Sequence, residues 1–136
     1  MKRSDLNILL KEMLEIHAGV SDLVFAVGRP PQVEAFGVLK SACGFHLIES
    51  LSAYQVEQVA LAIIGGERRL LKTLFEVGSC DCSYSFGASA RFRVNIFRQQ
   101  GKLAVVMRKT RSEVPTIQTL QLPPIFRDIA RYLEPR

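Results

Sequence analysis

The sequence predicts an α+β fold in which helices pack on one face of an antiparallel sheet. Two patterns carry that expectation. Between residues 79 and 110, three segments alternate apolar and polar side chains and are joined by short turns containing Gly87 and Gly101, as in a meander with one buried face. Ahead of them, three stretches repeat apolar residues at helical spacing between capping residues and glycines.

The first helix carries Leu6, Leu9, Leu10, Met13 and Leu14 on one stripe, with Ser4 or Asp5 as N-cap and Gly19 as the stop. A short apolar strand, Asp22 to Val27, follows. Gly28-Arg29-Pro30-Pro31 then turns the chain into a second strand, Gln32 to Lys40, in which Gly37 marks a turn or bulge. Ser41 to Ser50 carries little pattern. Ser52-Ala53-Tyr54-Gln55 has capping-box spacing and opens a helix with Val56, Val59, Ala60 and Ile63, ended by Gly65-Gly66. Glu67 to Glu76 makes the third helix through Leu70, Leu71, Leu74 and Phe75. Beyond the meander, residues 111–136 read as a linker punctuated by Pro115 and Pro123-Pro124 and a terminal helix, Ile125 to Leu133.

The meander concentrates charge on one face. Tyr84, Phe86, Phe92, Val94, Ile96, Leu103, Val105 and Met107 point inward, so Arg91, Arg93 and Asn95 point outward. A two-residue turn at Gln100-Gly101 sets Arg93 opposite Arg108, Asn95 opposite Val106 and Phe97 opposite Ala104. A three-residue loop at Gly87-Ala88-Ser89 pairs Asp81 with Asn95, leaving Asp81 diagonal to Arg93. Directly opposed arginines repel across roughly 5 Å. Two anions answer that repulsion: an intramolecular Asp81–Arg93 ion pair on a solvated face, or a phosphate or partner carboxylate held bidentately by the guanidinium forks.

The 136 residues suffice for one domain with a real core. With 48% hydrophobic and 23% charged residues the chain is an ordinary globular one, and it contains no apolar run of membrane-spanning length. Asp5, Lys11 and Glu12 interrupt the apolar stretch that a signal peptide needs after Met1-Lys2-Arg3, which predicts a cytoplasmic protein. The net charge of +5 favours acidic partners. Three cysteines suit reduced thiols rather than a disulfide framework, and Cys80 and Cys82 share the inward face of their strand as buried thiols rather than metal ligands. Neither His17 nor His46 lies near a nucleophile or ligand cluster in sequence, so no metal site is expected.

Read together, Ser21-Asp22-Leu23, Gly28-x-Pro30-Pro31, Asp81-x-Ser83, the run Ala90-Arg91-Phe92-Arg93-Val94-Asn95-x-Phe97-x-Gln99, Arg108 and Pro115-Thr116-Ile117-x-x-Leu120-x-Leu122-Pro123 resemble one family. It is the PilT/PilU-type retraction ATPases of type IV pili, within the type II/IV secretion ATPase superfamily. The resemblance covers nearly the whole chain and is to the N-terminal, PAS-like domain of those motors. It implies a PAS-like domain over residues 1–110 and a linker and helix over 111–136 leading to a RecA-like ATPase domain. Glu34 and Phe36 depart from the pattern, which often has an arginine and an acidic residue there.

The resemblance also implies a role for the arginines. In such hexamers the N-terminal domain closes over the ATP and Mg2+ held by the C-terminal domain, and it contributes arginines to the phosphates. Arg93 and Arg108 match the family positions; Arg91 matches the adjacent arginine and is the weaker candidate. The implied partners are the ATPase domain, the other subunits of a homohexamer and an inner-membrane platform protein, in a cytoplasmic motor peripheral to that membrane that drives twitching motility. No Gly-x-x-x-x-Gly-Lys-Ser/Thr occurs in the chain, so hydrolysis and cofactor binding are not expected of it alone. Two other readings compete: a nucleic-acid-binding basic sheet, which needs aromatic platforms beside the arginines, and a free-standing PAS-like sensor or adaptor, which needs a pocket inside the sheet.

Overall fold

A computed structural model describes residues 1–41, 50–87 and 90–110. The elements run α1 (Arg3–Ile16), β1 (Val20–Ala26), β2 (Gln32–Ala35), β3 (Val38–Ser41), α2 (Ala53–Ile64), α3 (Arg68–Val77), β4 (Ser79–Phe86), β5 (Ala90–Gln99) and β6 (Lys102–Thr110). The six strands form one antiparallel sheet in the order β3-β2-β1-β6-β5-β4. This is the expected α+β class. The linker and helix expected over 111–136, most of the unpatterned stretch and the tip of the β4–β5 loop lie outside the described residues.

Alternation along each strand decides which face is buried. Leu23 and Phe25 of β1, Val33 of β2, Phe92, Val94 and Ile96 of β5, and Val105 and Met107 of β6 project to one side. There they join Leu6, Leu10 and Met13 of α1, Val56, Val59, Ala60 and Ile63 of α2, and Leu70 and Leu74 of α3 in a single cluster. Each large apolar side chain so enclosed contributes roughly 1.5–3 kcal/mol relative to exposure.

The caps fall close to expectation, with local differences. Ser52 opens α2 as predicted: its Oγ accepts from the Gln55 N–H at 3.1 Å, and Gln55 Oε1 accepts from the Ser52 N–H at 2.8 Å. Gly65 closes α2 in the left-handed region. By contrast, neither Ser4 nor Asp5 caps α1. The helix starts two or three residues earlier, at Arg3, and Asp5 becomes its third residue, accepting from the Lys2 N–H at 3.2 Å. That position still sets a carboxylate against the positive end of the helix dipole.

Arg3 is the reason the earlier start is productive. Its Nε and Nη2 donate to the Ala62 and Ile63 carbonyls at 3.1 and 3.2 Å, satisfying groups that the end of α2 leaves open. The same guanidinium sits 5.6 Å from the Tyr84 ring centroid, and the Tyr84 hydroxyl donates to Asn7 Oδ1. One residue thus ties α1, α2 and β4 together.

The turn or bulge expected at Gly37 is a turn, and it divides the stretch from Gln32 to Lys40 into two paired strands. Phe36 and Gly37 take φ of 53° and 78° and make a two-residue turn, so that Val33 faces Lys40 and Ala35 faces Val38. Consecutive positive φ values define the tight hairpin turn whose twist matches flanking strands. The Phe36 ring then lies over Gly19, where an added Cβ would collide with the ring.

Candidate functional site

The outward face of the sheet carries the chemistry, and strand pairing assembles it. In β5 and β6 the Gln100-Gly101 turn gives the predicted register, with Arg93 opposite Arg108 and Asn95 opposite Val106. In β4 and β5 Asp81 faces Asn95 and Ser83 faces Arg93, again as predicted. On the other flank β1 pairs with β6 so that Asp22 faces Arg108, and β2 pairs with β1 so that Glu34 faces Asp22. A row therefore crosses the sheet as Glu34, Asp22, Arg108, Arg93, Ser83. Two carboxylates stand beside two guanidinium groups.

The anions near the arginines are not arranged as the sequence led us to expect. Asp81 does not pair with Arg93; its Oδ1 accepts from Asn95 Nδ2 at 2.6 Å. The directly opposed residue is closer than the diagonal one, and a neutral amide donor suffices there. The carboxylate that meets an arginine is Asp22, whose Oδ1 lies 3.5 Å from Arg108 Nε. Asp22 is 7% exposed and is the buried charged residue among those described. None of the ion pairs among the described residues involves Arg93 or Arg91.

Above this row the face is concave. A depression of ≈ 520 Å³ is lined by Asp81, Ser83, Arg93, Asn95, Val106 and Arg108, together with the edges of Cys82 and Val94. Arg93 and Arg108 meet in it, whereas Arg91 stands one step further along β5, opposite Thr110, and does not line it. The depression offers two guanidinium forks, an amide and a hydroxyl. That donor set suits a polyanion such as a phosphate chain, and a neutral or cationic guest would leave Arg93 unanswered.

Other side chains are less suited to chemistry. Cys80 is buried, and burial followed by the nearby Asp81 charge pushes its thiol up. Burial, then the Cys80 and Asp81 charges, push the Cys82 thiol up to about 11, so it stays protonated near neutrality. Among the described residues no group of three or more His, Cys, Asp or Glu is arranged to hold a metal. No helix among them is long and apolar enough to cross a membrane. Of the aromatic residues in β4 to β6, Tyr84, Phe86 and Phe92 sit on the core side, which leaves Phe97 beside the basic face. A stacking surface for bases normally needs two or three.

No family model matches the chain. Two curated relatives do: the type IV pilus ATPase PilU of Pseudomonas aeruginosa, 29% identical over 122 residues, and the type IV pilus retraction ATPase PilT of the same organism, 28% identical over 123. The matches take in 90% and 89% of this chain but only 30% and 34% of those proteins. Among solved structures, the pilus retraction motor PilT with bound ADP superposes with a TM-score of 0.74 at 28% identity, over 90% of this chain and 34% of that one. The Legionella pneumophila ATPase DotB, at 20% identity and a TM-score of 0.66, shares the fold over 94% of this chain and 34% of its own. The chain thus spans about a third of the length of the proteins it matches.

Proposed function

We propose, from the premise that this chain is an N-terminal domain of a PilT-type secretion ATPase, that it serves a type IV pilus retraction motor by covering the nucleotide site of a C-terminal RecA-like ATPase domain. The observation that carries this reading is the concave outer face of β4 to β6, where Arg93 and Arg108 line one depression and none of the ion pairs among the described residues involves Arg93. The bound ADP of the similar motor structure supports a nucleotide as the missing anion.

In this reading ATP, bound with Mg2+ by the ATPase domain, supplies the phosphoryl group whose transfer to water drives the motor. This chain's residues bind and orient. Arg93 and Arg108 present guanidinium nitrogens to the terminal phosphate oxygens; Asn95 and Ser83 add neutral donors, and Arg91 approaches from the rim. Arginines arriving on a domain that moves relative to the ATPase domain respond to the presence of the terminal phosphate and couple its loss to that movement. The domain works within a homohexamer that is cytoplasmic, peripheral to the inner membrane, and engaged with a platform protein there to power twitching motility.

The test is turnover. In the full motor, Arg93→Ala and Arg108→Ala are each expected to lower ATP hydrolysis by roughly 10³-fold, the low end for an arginine delivered to a transferring phosphoryl group, while the domain of the Arg93→Ala variant melts at the wild-type temperature. Normal rates in both variants would sink the reading.

A further inference from the structure

Asp22 stands out because it is a charged residue enclosed on the face of the sheet that is otherwise exposed. Its neighbours along β1, Leu23 and Phe25, bury themselves in the core, but Asp22 points the other way and is still only 7% exposed. A bulge between Val20 and Asp22 leaves Ser21 exposed, and Ser21 Oγ donates to the Glu34 carbonyl at 3.2 Å. Bulges re-aim the side chains beside them. The short Asp22 side chain has few rotamers and projects from a paired strand, so its carboxylate is a fixed point.

Arg108 is the opposite case. Its side chain is 73% exposed, and it faces a like charge, Arg93, across the β5–β6 pair. A long exposed side chain next to a like charge would spread over many rotamers, and any anion it bound would have to collect it. The contact with Asp22 is made through Nε. That edge of the guanidinium is the one nearest the backbone, so both terminal nitrogens stay available for the concavity that Arg108 lines.

We infer that Asp22 is a positioning residue for the phosphate site: it holds Arg108 by Nε, presents the two terminal nitrogens toward the anion, and offsets the Arg93–Arg108 repulsion before the anion arrives. The inference rests on the nucleotide reading above. It adds a residue of β1, a strand outside the meander, to the machinery. Because Asp22 holds the arginine without competing for its terminal nitrogens, its removal should weaken capture of nucleotide more than the step that follows capture.

Three measurements separate the possibilities. In the 136-residue chain, the Arg108 Nε–Hε proton should exchange with solvent more slowly than those of Arg91 and Arg93, and Asp22→Asn should erase the difference. In the full motor, Asp22→Asn should raise KM for ATP by roughly twofold to fivefold, because the arginine end of the pair is solvated and such contacts are weak, with kcat reduced less. Asp22→Glu should recover part of the loss. Asp22→Asn combined with Arg108→Ala should be no worse than Arg108→Ala alone, because the carboxylate acts through that arginine. Asn is nearly isosteric with Asp, and the melting temperature of the chain checks that the fold survives. Unchanged KM in Asp22→Asn beside a crippled Arg108→Ala would overturn the positioning role alone, as would additive losses in the double variant. Unchanged kinetics in Arg108→Ala alone would overturn the positioning role, and unchanged kinetics in Arg93→Ala as well would overturn the nucleotide reading with it.

Discussion

The two faces of β5 are built from adjacent residues of one strand and are held in place for different reasons. Inward, Phe92, Val94 and Ile96 are all at most 2% exposed and belong to one buried cluster that also takes in side chains from three helices and the flanking strands. Outward, Arg91 and Arg93 are exposed, and the latter stands opposite another arginine. Packing explains every inward residue by itself. The outward ones contribute little to folding and leave an electrostatic cost, which points to work done with something other than this domain.

Substitutions on either face should separate sharply. Phe92→Ala is expected to lower unfolding free energy by about 3–5 kcal/mol, read from urea denaturation; a loss under ~1 kcal/mol would mean that the inner face is not what holds the sheet. The thiol of Cys82 gives a pH test of the same face. Its folded-state value is raised to about 11 from the ordinary 9.0, so the folded chain holds the proton more tightly than the unfolded one. The stability linked to it is complete below pH 9 and should fall as pH climbs from there through about 11. Alkylation of Cys82 should accelerate over the same interval, and a midpoint near the ordinary value would show the thiol to be solvated.

Tyr84→Phe removes the hydroxyl that meets Asn7 at the edge of the core and should cost about 1 kcal/mol. The smallest change is expected outside. Arg93→Ala should alter stability by no more than ~0.5 kcal/mol, and because it removes a like-charge neighbour of Arg108 its sign should be neutral to stabilising. A clear destabilisation in thermal melts would erase the contrast between the faces.

Local chemistry explains which parts of this were legible in the sequence. The register of β4, β5 and β6 follows from strict alternation and short turns, so the meeting of Arg93 with Arg108 could be worked out residue by residue. Ser52 and Gln55 declare their cap by spacing alone. Asp22 could not be found that way, because its partner depends on β1 joining the far side of β6, a pairing between segments some eighty residues apart in the chain. The Ser21-Asp22-Leu23 motif marks the residue but not its partner. Gly37 marked a turn or bulge within residues 32–40, but not a two-residue hairpin turn, because that turn places Phe36 at φ 53°, where glycine, asparagine or aspartate would have announced it. Asp81 was near enough to Arg93 to invite an ion pair, and only the geometry of direct opposition hands it to Asn95 instead.

The central claim is that the outer face of β5 and β6 receives nucleotide phosphate. A structure of the full motor with a slowly hydrolysed ATP analogue tests it most directly. Terminal nitrogens of Arg93 and Arg108 should stand about 2.7–2.9 Å from phosphate oxygens, with the Arg108 Nε still on Asp22. If instead the nucleotide is enclosed elsewhere and this face is turned to solvent or covered by another protein surface, the claim is wrong.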